Sequence, residues 1–576
     1  MVAALKNKPD YHQCAFLAML AVFTAACDLY FQGGNNGFAA LLAKAAVYSA
    51  LFLVFFLIAE KSLDCCEKQT EMRRWHSYFR FTKKSILRLS LLFFTVYFLW
   101  LLVFYPGVTT GDTLYQIEDL VTGTAPMSYP STYSSQTVSA LMIDSNPVTT
   151  TLIFTLFYQI GLLTGDPNRG MFLYNLLQCA TLSVLFAIVV CYMDQLQVPK
   201  EIALISTVFF ASPIIASYAI TMGKDLPFSL FYIVYYHVFV WLVLTPEVKG
   251  GSKRQWLMLL LFSILIALMN KKGAALAAAS NLCLLSAIPG RKKLTAIPTA
   301  LLPFLITGVI MPQLLFPAFN IIPGGKQEML GVAFQQTSLS LIEHPERYTE
   351  DEKALFFSLL DLSQEELKDT YNPEITDPIK NRLPYDADQK AICTYLELWL
   401  SHMPREAGTY IRATLSISGG YFSPHKLFNV YQSVPYSEAL KAFSHPGCTE
   451  ALRDSVGSLI FWLEQIPVFS IFSQDSFYLF WVPAFSFYCF RKKKLKKRLV
   501  LLVPFGANLL FLVFAPVCVT RYGLCQLFTF PMLLAITAMP IGKEETVDSA
   551  SLLQDLLQNA TMLLMGKESA SGQGTS

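Results

Sequence analysis

A carboxylate in a Pro-Gly-punctuated turn is the first place in this chain where chemistry can sit. The stretch reads Tyr105-Pro106-Gly107-Val108-Thr109-Thr110-Gly111-Asp112-Thr113-Leu114-Tyr115-Gln116 and follows an apolar segment directly. Pro-Gly stops a helix, and Gly111 permits a tight approach before Asp112. An Asp held there can take the proton of a hydroxyl presented from outside, as a general base must. The same residue can be an Asx-type cap for a helix starting near Thr113, and one residue can do both. Glu118 and Asp119, a little further on, offer either a second carboxylate or simply a solvated face.

Cations recur in the short turns between other apolar segments. Thr221-Met222-Gly223-Lys224-Asp225 is one such turn. There Lys224 can hold a phosphate, and Asp225 can pair with it or cap the next helix. The plain alternative is that short turns between spans are polar anyway. Asn270-Lys271-Lys272-Gly273 is a second turn, and Arg521-Tyr522 lies in a third. On the topology derived below all three face outward, where lysines run against the positive-inside bias and point to an anionic ligand. A lipid phosphate or diphosphate suits such a set. His237 falls in an apolar segment and packs. His344, His402, His425 and His445 have no metal spacing, and the 12 Cys form no CxxC pair or zinc cluster, so no structural metal is expected. Without a P-loop or a GxGxxG before a helix, nucleotide-driven transport and dinucleotide chemistry are disfavoured.

The elements that must position these residues are membrane helices. The 576 residues are 54% hydrophobic and only 15% charged, with a mean hydropathy of +0.44. Soluble domains carry about a quarter charged residues, so a soluble enzyme is excluded. A net charge of +3 without a concentrated basic face argues against nucleic acid as a partner. The expected fold is an all-α polytopic membrane protein. Apolar segments fall at 13–32, 37–60, 86–106, 172–193, 201–221, 226–245, 256–270, 274–290, 295–316, 477–490, 499–518 and 523–541. Basic clusters at 61–85, 246–255, 291–293 and Arg491–Arg498, all placed inside, give 12 spans with both termini cytoplasmic. Thr149–Leu163 breaks that pattern if counted as a span. It is therefore read as a juxtamembrane or re-entrant helix on the outer side, within one external loop over 107–171.

Residues 317–476 hold 21 Asp/Glu against 12 Lys/Arg, an acidic insert in a basic scaffold, and are read as an extracytoplasmic helical domain. Thr349-Glu350-Asp351-Glu352 and Ser363-Gln364-Glu365-Glu366 are capping-box patterns. Gly457–Phe472 is expected along the membrane surface. Cys393 and Cys448 are read either as a disulfide or as two buried thiols. Thr24-Ala25-Ala26-Cys27 is loosely lipobox-like, but the apolar stretch is too long for a signal peptide and is read as an uncleaved anchor. The resulting organisation is a two-helix anchor with a basic linker (1–85), a membrane core (86–316), the helical domain (317–476), C-terminal spans (477–541) and a disordered tail (542–576).

Taken together, the Tyr-Pro-Gly stop followed by Asp112 and Gln116 resembles the GT-C superfamily of polyprenyl-phosphate-sugar-dependent glycosyltransferases. More closely, the chain is similar to an uncharacterised group of bacterial multipass membrane proteins placed near that superfamily. The resemblance rests on the order of Tyr105–Gln116, Lys224-Asp225, Glu328-Met329-Leu330 with Gln335-Gln336, Tyr371–Lys380, Tyr395–Leu400, Gly420-Tyr421 and Arg521-Tyr522. It implies that Asp112 is the catalytic base and that Lys224 and Arg521 hold the donor's lipid phosphate. Tyr115, Gln116, Asp225, Lys271, Lys272 and Tyr522 are the further candidate substrate-binding residues. Relatives often carry His before the Pro where this chain reads Ser145-Asn146-Pro147.

The implied activity is inverting transfer of a sugar from a polyprenyl-phosphate donor to a cell-envelope glycan or glycolipid, at the outer face of a bacterial plasma membrane. No cofactor is fixed by this, and a divalent metal is left open. Two readings compete from other classes. One is a flippase or transporter of a lipid-linked precursor, which needs the cations and the membrane lipid but no base. The other is a non-catalytic envelope-assembly protein.

Overall fold

Periodicity alone does not decide where these apolar runs bend, because Pro and polar caps interrupt several of them. The computed structural model describes residues 11–31, 33, 37–70, 78–126, 137–244, 251–430, 440 and 443–540. The tail beyond Gly542 and the basic residues Arg73, Arg74 and Lys249 lie outside the described residues. What is described is mostly helical, with three two-stranded pairings. Among the described residues six helices are long and apolar enough to cross a membrane: Gln13–Phe31, Phe38–Asp64, Lys83–Val103, Pro167–Gln195, Asp225–Leu244 and Arg291–Ala318. A seventh span arises if Lys200–Phe210 and Pro213–Ala219 are one element. That pair bends by 55° at Ser212, which caps the second helix, with Pro213 in its first turn.

The remaining apolar segments form shorter helices, including Lys253–Met269, Lys272–Ala287, Val503–Val513 and Leu524–Ala538. They share one core with the long helices from Lys83–Val103 onward, while the first two long helices pack on each other and on Phe485 and Cys489. In the shared core Phe186 stacks on Phe210 at 3.9 Å. His237 is buried there against Tyr192, as its apolar surroundings require. Thr149–Leu163 lies within the helix Val148–Leu163, whose 16 residues rise only about 24 Å, short of a hydrocarbon core of about 30 Å.

Residues 327–418 build a second, smaller core around Phe334, Phe356, Leu360 and Tyr395. Both capping boxes form, with Thr349 and Glu352 exchanging side chain-to-backbone bonds and Ser363 and Glu366 doing the same. Cys393 and Cys448 are both free and both exposed, which corrects the expectation of a disulfide or two buried thiols. Glu450–Glu464 and Pro467–Phe472 present Leu459, Phe461, Trp462, Ile471 and Phe472 outward.

Two of the strand pairings place the site. Val108–Thr109 runs parallel to Thr221–Met222, so the segment before Asp112 is zipped to the turn that carries Lys224. Met142–Asp144 runs parallel to Ile321–Pro323, tying the first loop to the start of the second domain.

Candidate functional site

Asp112 owes its position to the backbone on either side. Gly107 has φ +120°, and a Cβ there would sit 1.9 Å from Asn175 Nδ2 and 2.9 Å from the Ile220 carbonyl, so only glycine lets the chain pass. A Cβ on Gly111, by contrast, would meet only the Tyr115 ring at an ordinary 3.7 Å, so the tight approach is at Gly107. The pairing ends at Thr109, the extended backbone continues through Thr110, and the helix Gly111–Thr122 begins immediately afterwards with Thr110 as its N-cap. Asp112 is therefore inside the first turn rather than the cap, which corrects the Asx-cap reading and the expected start near Thr113. A carboxylate there still gains from the helix dipole. Thr113 fastens the turn by donating to the Met222 carbonyl at 2.8 Å.

The three groups singled out for chemistry meet. Asp112 Oδ2 lies 3.2 Å from Lys224 Nζ and 3.0 Å from Arg521 Nη1. Burial alone would raise the Asp112 carboxyl, but the two cations outweigh it and hold the group well below the usual carboxylate range. Burial likewise pulls Lys224 down, and Asp112 reverses this so that the ammonium is raised. The Asp225 carboxylate lies 3.9 Å from Arg521 Nε and accepts from Asn270 Nδ2 at 3.0 Å. Lys272 donates to the Tyr522 carbonyl at 2.6 Å and lies over the Phe228 ring. Lys271 pairs with Asp144 at 3.2 Å. Burial raises the Asp144 carboxyl, with Lys271 opposing.

The remaining candidates make contacts of their own. The amide of Gln116 donates to Thr150 and Thr151 Oγ1, both at 2.9 Å, which joins its helix to Val148–Leu163 and leaves the nitrogen committed to structure. Tyr115 is exposed on the same helix. Asp119 is buried rather than solvated, and burial, aided by Glu118, pushes its carboxyl up to about 7. Tyr522 follows Arg521, whose guanidinium lies 5.3 Å from its ring centre.

Sequence reasoning missed the neutral partners. Lys224 also donates to Asn146 Oδ1. Asn146 is the middle residue of the Ser145-Asn146-Pro147 segment, so a side chain of that segment enters the site directly. Asn270 was read only as part of a lysine turn. The motifs of the helical domain turn out to brace the Arg521 turn. The Thr376 N–H donates to the Pro516 carbonyl at 2.9 Å, and the Tyr421 hydroxyl bonds the Val519 backbone.

Asp475 extends that bracing. It is fully buried, and its Oδ2 accepts from Thr520 Oγ1 at 3.0 Å, next to Arg521. Burial pushes its carboxyl up to about 7 against the pull of Lys426 and the Thr520 hydroxyl. Because the folded-state value is raised, the contribution to stability is complete below about pH 4 and is lost as pH rises through 7. Asp475→Asn should flatten the fall of the melting temperature in detergent across that window. An identical profile for the variant would refute the assignment.

Among the described residues no group of three or more His, Cys, Asp or Glu is arranged to hold a metal. Asp112 and Asp225 are already engaged by Lys224, Arg521 and Asn270, a donor set that does not fit a divalent ion, and no step is routed through one.

The fold and site thus define a mostly helical protein with the apolar helices of a membrane protein and a charged cluster built from five separate segments. The chain belongs to the DUF6020 family, a family of unknown function, whose model matches residues 10–551. No curated protein and no solved structure matches it significantly.

Proposed function

We propose that the protein is a membrane glycosyltransferase that moves a sugar from a polyprenyl-phosphate donor to a cell-envelope glycan or glycolipid. It would act at the outer face of the bacterial plasma membrane, in a GT-C-like architecture of 12 spans with 317–476 outside. The observation that carries this reading is the meeting of Asp112 with Lys224 and Arg521. The donor phosphate sits on the two cations. The acceptor hydroxyl attacks the anomeric carbon, its oxygen–carbon bond forms as the bond from carbon to phosphate oxygen breaks, and its proton passes to Asp112. The departing phosphate gains a negative charge, which Lys224 and Arg521 stabilise. Residues 317–476 cover the site and select the acceptor.

The test is transfer from a labelled polyprenyl-phosphate sugar by the purified chain. Lys224→Ala should raise KM for the donor about tenfold, since it removes a phosphate contact, and should lower kcat as well, since the charge gained by the departing phosphate loses one of its two cations. An unchanged KM would count against the phosphate assignment.

Transport is the second reading, and one observation favours it. Asp28, in the first membrane helix, is buried and ion-paired with Lys44 of the second. Charges inside spans mark pathways as often as anchors. Movement of donor across vesicles without any transfer would select that reading.

A further inference from the structure

Both cations of the site address the same atom, Asp112 Oδ2. A carboxylate engaged in this way is a weak proton acceptor, because protonation would forfeit two ion pairs. A phosphate asks for the same donors, and a guanidinium beside an ammonium suits its oxygens at least as well as a carboxylate's. The groups are within reach of an incoming anion, with side-chain exposures of 23% for Asp112, 19% for Lys224 and 15% for Arg521. The charges favour one as well. Among the described residues of the cluster, Asp112 and Asp225 stand against Lys224, Arg521 and Lys272, with Lys271 balanced by Asp144, which leaves a single positive charge in excess there. Asp225 is held by Asn270, so it remains as a fixed counter-charge beside Arg521 when the other carboxylate lets go.

We propose that Asp112 competes with the ligand of its own site: a phosphodiester monoanion takes Lys224 and Arg521 from Asp112 Oδ2, and the released carboxylate then becomes the proton acceptor. The inference rests on the phosphate reading of Lys224 and Arg521. It adds that occupancy and basicity are linked, so the base is masked whenever the site is empty. No bond is made or broken in this step; two ion pairs are exchanged for two others. The linkage is reciprocal: whatever weakens the hold of Asp112 on the cations strengthens phosphate binding by the same factor.

The probe is dihexyl phosphate, a monoanion at neutral and mildly acidic pH that takes up no proton itself. Its binding to the full chain in detergent is measured by titration calorimetry. Asp112→Asn keeps the side-chain size but removes the competing charge, and should bind the diester about tenfold more tightly than the unaltered chain. A second measurement needs no variant. In mildly acidic solution, buffers of different ionisation heat should reveal proton uptake when the unaltered chain binds the diester.

Binding that is no tighter in Asp112→Asn, together with no proton uptake, overturns the competition and leaves the phosphate site standing. Failure of both chains to bind the diester, or binding undisturbed by Lys224→Ala and Arg521→Ala, overturns the phosphate site itself.

Discussion

Asp112→Asn should leave the protein folded and lower the transfer rate about 10²–10⁴-fold, the usual contribution of a positioned proton acceptor. The helix start is not at stake, because Thr110 and not Asp112 is the N-cap. Nor are the cations abandoned, since Asp225 stays beside Arg521. Donor binding should survive, which separates this variant from Lys224→Ala, where KM for the donor rises. Transfer assays on purified protein, with melting curves as a control on folding, decide the matter. An Asp112→Asn chain with ordinary turnover would remove proton abstraction from the account.

Replacing Asp28 should produce the largest effect on stability. Its carboxylate is completely buried and takes four donors: Lys44, Tyr48, Ser423 and His425. It thereby joins the first two membrane helices to the segment after the Gly419–Tyr421 turn. Asp28→Leu strands Lys44 without its counter-ion and should cost about 3 kcal/mol, the lower end for a broken buried pair because Lys44 is partly exposed. The double variant Asp28→Leu/Lys44→Leu should recover much of that loss, since an apolar pair carries no stranded charge. Unfolding in detergent measures both, and a single variant as stable as the original chain would show that the cluster is not a clamp.

How much of this was legible depended on how local the cause was. Lys224 and Arg521 were readable because each stands in a short polar turn between apolar runs, and Asp112 because it follows the Pro-Gly stop of an apolar run within a few residues. The two capping boxes were readable for the same reason: donor and acceptor lie three residues apart. The cap assigned to Asp112 failed because the decisive contact is remote. Pairing with Thr221–Met222 carries extended backbone up to Thr110 and forces the helix to begin one residue earlier than the Asp. Gln116 likewise faces Thr150 and Thr151, partners that no spacing around residue 116 announces. Buried Asp475 was invisible because a lone Asp outside a turn carries no signal until its neighbours are known. The apolar segment at 499–518 reads as one span, yet it divides into Lys496–Val500 and Val503–Val513 around Pro504.

The pairing of Asp112 with Arg521 also sets a schedule for biosynthesis. About 400 residues of chain separate the carboxylate from that cation, and the last described helix, Leu524–Ala538, follows shortly after Arg521. At a synthesis rate of about 5–20 residues per second, Asp112 waits roughly 20–80 s for its partner to be made. The strand Met142–Asp144 must wait as well, because Ile321–Pro323 is still to come. A truncated chain therefore carries the acid without its full set of cations, and the charged centre closes only when almost every described helix has been made. Completion of the site is in this sense a report that nearly all of the described helices have been synthesised.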